Sequence, residues 1–486
     1  MRSETKEMTM KIPERTPIGI EGLDANFRGG VPKGSMIVLA GEPGTGKTTF
    51  AAHFLYHGAI DYNEKGMYVS FIEDRRTFMN NMRTLGFDFE ELEREGKFRF
   101  LEMLTVKDVG VPETLNVILK EMMDFEARRL VLDSFTALAQ AVRESHEVRV
   151  ILHTFLSRFI KSRECTTIIV IEKPHGLPGI GLGIEEFVAD CMIVLRREWF
   201  GERSIRVLSV LKSRGIVPQE PQLLFTIKDG FKCFVPFTPK EVKEKSCFKP
   251  IPDTNDKYSS GSKDVDEALG GGYPKGALVL IEVDPSASPY YKYIIAPTMW
   301  NFLIKKRGLF IVPPPGVEET LIRKLIEDGG FVMDEVTDYV RIFLREVTES
   351  KLRSYVVPVG GDDIDADLLK YELVGRELRK VTGRGNTLYI FGMDTLVDWY
   401  GEKGAFTMIR IAANAIRRGQ HLGLMILKPG TPELSRAVAA AAEVHLKLVQ
   451  EFGCLLLYGI KPRTPIHVVE LDVSSGYPQP KLTPLQ

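Results

Sequence analysis

Gly41-Glu42-Pro43-Gly44-Thr45-Gly46-Lys47-Thr48 is the stretch on which the reading of this chain turns. A glycine, four residues, then Gly-Lys-Thr is the spacing of a phosphate-binding loop. The run before it, Ser35 to Ala40, is apolar and short enough for a buried strand, and the run after it, Thr49 to Leu55, reads as a helix. Strand, glycine loop and helix together select phosphate binding over a plain connecting turn. Glycines let backbone N–H groups converge on phosphate oxygens, and the helix N-terminus adds positive potential. Gly44, Thr45, Gly46 and Thr49 are therefore expected to line a nucleotide. Lys47 is placed to reach the β- and γ-phosphates of ATP, and the Thr48 hydroxyl to sit on Mg²⁺.

Upstream of the loop, Gly19-Ile-Glu-Gly-Leu-Asp24 leads to Gly29-Gly30-Val31-Pro32-Lys33-Gly34. A similar passage recurs as Gly261-Ser-Lys-Asp-Val-Asp266 leading to Gly271-Gly272-Tyr273-Pro274-Lys275-Gly276. The offset is constant, 272 − 30 = 242 and 276 − 34 = 242, so the 486 residues hold two copies of one domain. The expected division is a flexible lead-in over 1–14, a first domain over 15–235, a linker over 236–257 and a second domain over 258–480. The linker carries prolines, lysines and polar residues without apolar periodicity. Within the first copy, strands are expected at 66–72, 129–133, 166–171 and 191–195, with helices over 75–85 and 148–158. Apolar strands alternating with helices predict an α/β fold, a mostly parallel sheet covered by helices on both faces. Segments 204–211 and 222–234 alternate in polarity and read as antiparallel additions.

Ligands of such sheets bind at the carboxyl ends of the strands. Two carboxylates are expected there beside the loop. Asp133 ends the strand Leu130-Val131-Leu132-Asp133 and can hold the Mg²⁺ water shell, although an Asp-Ser pair in that place also suits a helix cap. Glu73, after the second strand, can orient or deprotonate an attacking water; the alternative is a solvated turn with Asp74-Arg75-Arg76.

The ordered set of motifs resembles the KaiC-type branch of the RecA-like ATPases. It comprises Gly19 to Asp24, Gly29 to Gly34, the phosphate loop, Tyr68-Val-Ser-Phe-Ile-Glu73, Leu132-Asp133-Ser134-Phe135-Thr136, Gly183-Ile-Glu-Glu-Phe-Val-Ala-Asp190 and Leu211-Lys-Ser-Arg-Gly215. The resemblance implies tandem RecA-like domains and self-association into a ring, commonly a hexamer. It also implies that Lys212 and Arg214 reach into a neighbour's ATP site as an arginine-finger pair. Thr84 matches a small hydroxyl residue that the family keeps near the nucleotide. Two features depart from the pattern. The family has two adjacent glutamates where this chain has Ile72-Glu73, which predicts slow turnover. Polar nucleotide contacts expected after Gly215 are replaced by Ile216-Val217-Pro218.

In the second copy the offset sets Pro43 to Thr48 on Pro285-Ser-Ala-Ser-Pro-Tyr290. The glycines, lysine and Mg²⁺ hydroxyl are gone, and Pro289 has no N–H to offer. Pro313-Pro314-Pro315 replaces the carboxylate turn. Lys292 stands three places too late to replace Lys47. Asp394 is expected where the Mg²⁺ aspartate belongs, and Lys461-Pro462-Arg463 resembles the trans pair. The second domain is thus expected to fold without binding ATP in the usual way, which removes support for a self-phosphorylation cycle there.

Three functions are compatible with this reading. The first is a slow ATPase that switches shape or partner affinity in a ring. The second is a nucleotide-gated regulator or scaffold without significant hydrolysis, for which the gas-vesicle regulator GvpD is an analogue. Paired arginines such as Arg196-Arg197 resemble that protein only loosely and are usually solvated. The third is a RecA/RadA-like DNA motor, disfavoured by a net charge of −1 and by few cations over 172–183. Five scattered cysteines without a C-x-x-C pair argue for a reducing compartment, and the absence of a long apolar run argues against a membrane span, so a cytoplasmic protein is expected.

Overall fold

The computed structural model describes residues 14–103, 111–136, 164–173, 189–345, 353–383, 385–428 and 432–485. The expected helix at 148–158, most of the 172–183 loop, most of the Gly183–Asp190 motif and nearly all of the lead-in 1–14 lie outside them. The chain parts into two compact units between Val235 and Pro236.

The main sheet of the first unit has nine strands. In chain order they are β1 (Met36–Gly41), β2 (Gly66–Ser70), β3 (Phe98–Glu102), β4 (Arg129–Asp133), β5 (Thr166–Glu172), β6 (Cys191–Phe200), β7 (Arg203–Ser213), β8 (Gln222–Thr226) and β9 (Lys232–Phe234). Their spatial order is β9-β8-β7-β6-β1-β5-β4-β2-β3. From β6 to β3 every pairing is parallel, and from β6 to β9 every pairing is antiparallel. Strand β1 is buried from both sides. Ile37 and Leu39 join one apolar cluster, whereas Met36, Val38 and Ala40 join another. A strand covered on both faces has no solvent side, which is why its sequence is a continuous apolar run. Helix α1 (Lys47–Asp61) follows β1, and helix α2 (Arg75–Thr84) follows β2, capped by Asp74.

The main sheet of the second unit repeats this plan with ten strands. They are β10 (Leu278–Val283), β11 (Gly308–Val312), β12 (Val340–Leu344), β13 (Val356–Pro358), β14 (Thr387–Gly392), β15 (Leu422–Leu427), β16 (Val444–Glu451), β17 (Cys454–Lys461), β18 (His467–Asp472) and β19 (Gln479–Pro484). The order is β13-β12-β11-β14-β15-β10-β16-β17-β18-β19. Even an irregularity recurs. The β6–β7 ladder shifts register between Met192 and Ile193, and the β16–β17 ladder shifts between His445 and Leu446.

Three differences from the sequence reading have plain causes. Strand β2 stops at Ser70, and Ile72, 57% exposed, belongs to the turn. The edge strand β3 was not expected, because its Phe-Arg-Phe-Leu-Glu pattern is short. The segment after Pro236, expected to be a solvated linker, lies against the second unit. Phe237 N–H donates to Gly453 O at 2.8 Å, and Phe248 is buried against Trp300 and Tyr477. Two aromatic side chains among the lysines are enough to anchor it.

Candidate functional site

The phosphate loop joins β1 to α1. Gly44 and Gly46 hold φ of 74° and 105°, values that a side chain would strain. Thr45 closes the turn by donating from Oγ1 to Glu42 O at 2.8 Å. Lys47, only 8% exposed, donates its ammonium to Gly41 O and Glu42 O, each at 2.9 Å. Burial pulls the Lys47 pKa down, while the charges of Glu172 and Asp133 push it up. Thr49 follows half-buried in the first turn of the helix.

Across the sheet edge, Thr48 Oγ1 donates to Asp133 Oδ2 at 3.0 Å. The same carboxylate oxygen accepts from the Tyr68 hydroxyl. Burial raises the Asp133 pKa, and its bonds from Tyr68 and Thr48 and the charge of Lys47 oppose that rise. A hydroxyl and a carboxylate in contact beside a phosphate cradle suit Mg²⁺. That ion keeps several waters and takes phosphate oxygens instead of needing an all-protein cage. Among the described residues no group of three or more His, Cys, Asp or Glu is placed to hold a metal ion.

Glu73 sits one turn beyond the residue that pairs with Asp133, since Ser70 and Asp133 are register partners. The turn is tied by Ser70 Oγ donating to Glu73 O at 2.7 Å and by Glu73 N–H donating back at 2.9 Å. Asn81 Nδ2 donates to Glu73 Oε1 at 2.8 Å. Burial raises the Glu73 pKa, with Asn81 lowering it and the charge of Asp133 raising it. A carboxylate lifted in this way is a better proton acceptor near neutrality than a solvated one. Thr84 is exposed at the end of α2, its hydroxyl donating to Asn81 O at 2.7 Å.

Lys212 and Arg214 are not gathered with the others. Arg214 N–H donates to Asp190 O at 2.7 Å, and Asp190 Oδ2 accepts from Met36 N–H at 3.1 Å. That is the opposite end of β1 from the loop, about 17 Å away at the usual rise per residue. The pair therefore cannot serve its own phosphate loop.

Sequence reasoning missed four neighbours of the site. Tyr68 holds Asp133. Glu172, the register partner of Gly41, faces Lys47. Arg197 Nη2 donates to Gly44 O at 2.8 Å, and Arg206 Nη1 donates to Gly44 O at 3.3 Å and Thr45 O at 3.2 Å. Arg197, expected to be merely solvated, is thus bound to the loop. The available signal was position alone: each lies on a strand that ends at, or crosses near, the loop.

The second unit has a different turn in place of the loop, and its strand register corrects one assignment. Pro285–Ala287 forms a short 3-10 turn, with Asp284 accepting from Ser286 N–H at 3.0 Å. Lys292 lies over the Tyr293 ring, 5.2 Å from its centre. Register places Ser70 opposite Asp133 and Val312 opposite Phe391, so Phe391, not Asp394, occupies the position of the Mg²⁺ aspartate. Asp394 instead accepts from Lys428 N–H at 2.9 Å, as Thr136 Oγ1 accepts from Glu172 N–H at 2.9 Å in the first unit. It ties down the backbone at Lys428, one turn beyond the register position of the aspartate.

Comparison with known proteins follows the same lines. The family described as ATPase: KaiC matches residues 16–234. The circadian clock oscillator protein KaiC of Thermostichus vulcanus is 31% identical over 287 residues, 57% of this chain and 53% of that protein. KaiC of Synechococcus elongatus is 32% identical over 269 residues, 54% of this chain and 50% of that protein. The chain thus spans about half the length of the curated relatives it matches. A KaiC-like protein of the hyperthermophilic archaeon Pyrococcus horikoshii, of known crystal structure, is 33% identical, with 46% of this chain and 100% of that chain covered and a TM-score of 0.42.

Proposed function

Because the chain belongs to the KaiC-type branch of the RecA-like ATPases, we propose that its first unit binds MgATP and hydrolyses it slowly at the boundary between copies in a cytoplasmic ring. The cycle would switch the ring's shape or its affinity for a protein partner. The observation that carries the reading is the 3.0 Å contact from Thr48 to Asp133 beside the buried Lys47. When bound, Mg²⁺ supplies charge neutralisation to the phosphates. The chain's own residues do the rest. Gly44, Thr45 and Gly46 present backbone to the phosphates, and Lys47 exchanges two carbonyl partners for phosphate oxygens. Tyr68 and Thr48 orient Asp133, and Glu73, held by Asn81, accepts a proton from water. Lys212 and Arg214, remote from their own loop, would act on the loop of the next copy, which supports a shared site. No helix among the described residues is long and apolar enough to cross a membrane.

The exposed Ile72, standing where the family has a second glutamate, favours a second reading in which ATP is bound but scarcely turned over. Phosphate release from MgATP decides between them. Slow turnover is expected in the wild type, with roughly a 10²-fold loss in Glu73→Gln while ATP affinity is kept, the scale of general-base removal. Arg214→Ala should lower turnover and leave folding unchanged. Bound ATP without phosphate release in the wild type would establish the nucleotide-gated reading instead.

A further inference from the structure

Arg197 and Arg206 are register partners, directly opposite one another across the β6–β7 ladder. Like charges so placed repel and weaken a sheet. No carboxylate among the described residues pairs with either. Both guanidinium groups go to carbonyl oxygens of the phosphate loop, Arg197 to Gly44 O at 2.8 Å and Arg206 to Gly44 O at 3.3 Å and Thr45 O at 3.2 Å.

We propose that Arg206, assisted by Arg197, is a positioning residue that sets the phosphate-binding shape of the loop from behind. The peptide group is planar, with each carbonyl and the N–H of the next residue pointing in opposite directions. Holding Gly44 O and Thr45 O therefore also fixes the directions of the Thr45 and Gly46 N–H groups. This loop needs such an anchor because the two glycines that make it able to cradle phosphate also make it floppy. The Arg206 side chain suits the task. The residue is 9% exposed, and one guanidinium can span two carbonyl oxygens, which an ammonium on a flexible stem does less well. Burial and the neighbouring Arg197 lower its pKa to about 10, so it stays charged at neutral pH. Two fixed positive charges behind the loop also add to the field that attracts an anion.

The second unit is an internal control. Ile37 pairs with Cys191, and Val279, at 37 + 242 = 279, pairs with Val444. Six residues on, Arg197 therefore corresponds to Gln450, and the register partner of Gln450 is Leu455. The ladder and its bulge survive there while both arginines are gone, as are the two loop glycines, Gly44 and Gly46, of the first unit. A role in hairpin stability would have kept them.

The inference rests on nucleotide binding by the first unit, and the test separates the two. In the full-length chain, Mg²⁺-dependent affinity for a fluorescent ADP analogue, KM and kcat for ATP, and the ligand-free Tm are measured for wild type, Arg206→Leu, Arg206→Lys and Arg197→Gln. Arg206→Leu should weaken binding and raise KM about 10–100-fold, the scale of a charged hydrogen bond, with kcat nearly unchanged. Its ligand-free Tm should stay close to that of the wild type, because relief of the like-charge pair offsets the loss of the donor to Gly44 O and Thr45 O. Arg206→Lys should recover much of the affinity, and Arg197→Gln, at the more exposed position, should weaken binding only about 3-fold. Unchanged affinity in Arg206→Leu, or a loss matched by a lower ligand-free Tm that lysine does not rescue, overturns the proposal. If Arg206→Leu does not fold, Arg197→Gln decides: full wild-type affinity there overturns the proposal. A wild type that binds no nucleotide overturns both this proposal and the reading beneath it.

Discussion

Strand β1 runs out into Gly44 and Gly46 with positive φ, whereas strand β10 runs out into Asp284 and a 3-10 turn begun by Pro285. Up to those ends the two units are alike. The central strand is buried on both faces in each, with Val279 and Ile281 in one cluster and Leu278 and Leu280 in another. Beyond the ends they diverge at the positions proposed to build the nucleotide site. Lys47 becomes Pro289, the turn holding Glu73 becomes three prolines, Asp133 becomes Phe391, and the Arg197–Arg206 pair becomes Gln450 and Leu455. The core specifies the sheet, and the site is an addition at its edge that can be lost without losing the fold. Such a site also carries a cost, since burial works against the charge of the Asp133 carboxylate, whereas Phe391 in its place is 2% exposed and simply apolar.

The strongest way to break this comparison is to disable one unit and ask whether the other compensates. Lys47→Ala should lower MgATP affinity of the whole chain at least about 100-fold, the worth of a desolvated charge–phosphate contact. Equilibrium dialysis with labelled ATP measures it. Residual binding at wild-type affinity would place a working site in the second unit and end the contrast.

The two aspartates give a sharper test. Asp133→Ala should raise the Mg²⁺ concentration needed for nucleotide binding about 10–100-fold, as the removal of a metal's outer-shell partner does. Asp394→Ala should leave the Mg²⁺ titration unchanged and cost about 1–3 kcal/mol of stability, because the Lys428 N–H loses its acceptor. Mg²⁺ titrations of ADP-analogue binding, run beside urea unfolding, separate these outcomes. A changed Mg²⁺ response in Asp394→Ala would return that residue to the metal position.

The mistake over Asp394 shows what could be read along the chain and what could not. The loop, Asp133 and Glu73 were legible because each is a local pattern: a fixed spacing, or a carboxylate closing an apolar run. The repeat was legible as far as β11, where the offset is still 308 − 66 = 242. By β14 it has grown to 387 − 129 = 258, and an aspartate chosen by residue type alone slid three places from the register position. Tyr68, Glu172 and Arg206 were illegible for a related reason. Each sits within a strand, and only strand order puts it beside the loop. Sequence periodicity shows that a strand residue faces one side or the other, not which neighbour it meets there.

The weakest expected effect asks whether the units still behave alike where the scaffold is shared. Each unit buries a histidine whose pKa is lowered by that burial. In the first, His53 Nδ1 accepts from Phe231 N–H at 3.3 Å, and burial with the nearby His57 lowers its pKa to about 4. In the second, His421 Nδ1 accepts from Thr387 N–H at 3.1 Å, and burial with the charge of Arg379 lowers its pKa to about 4. Between pH 6.5 and 4 the unfolded chain takes up a proton that the folded unit refuses. Stability is therefore complete above that window and falls as the pH drops through it. By pH 5.5 each histidine should cost its unit about 1.4 kcal/mol, a tenfold rise in hydrogen exchange for the peptides around residues 50–58 and 416–424. His53→Gln and His421→Gln should each flatten the response of their own unit only. MgATP at about 100 times its Kd stabilises its host unit by about 2.7 kcal/mol, more than the acid removes. At pH 5.5 it should therefore restore slow exchange around His53 and leave the His421 peptides fast. Equal protection of both regions would mean that the second unit responds to nucleotide after all.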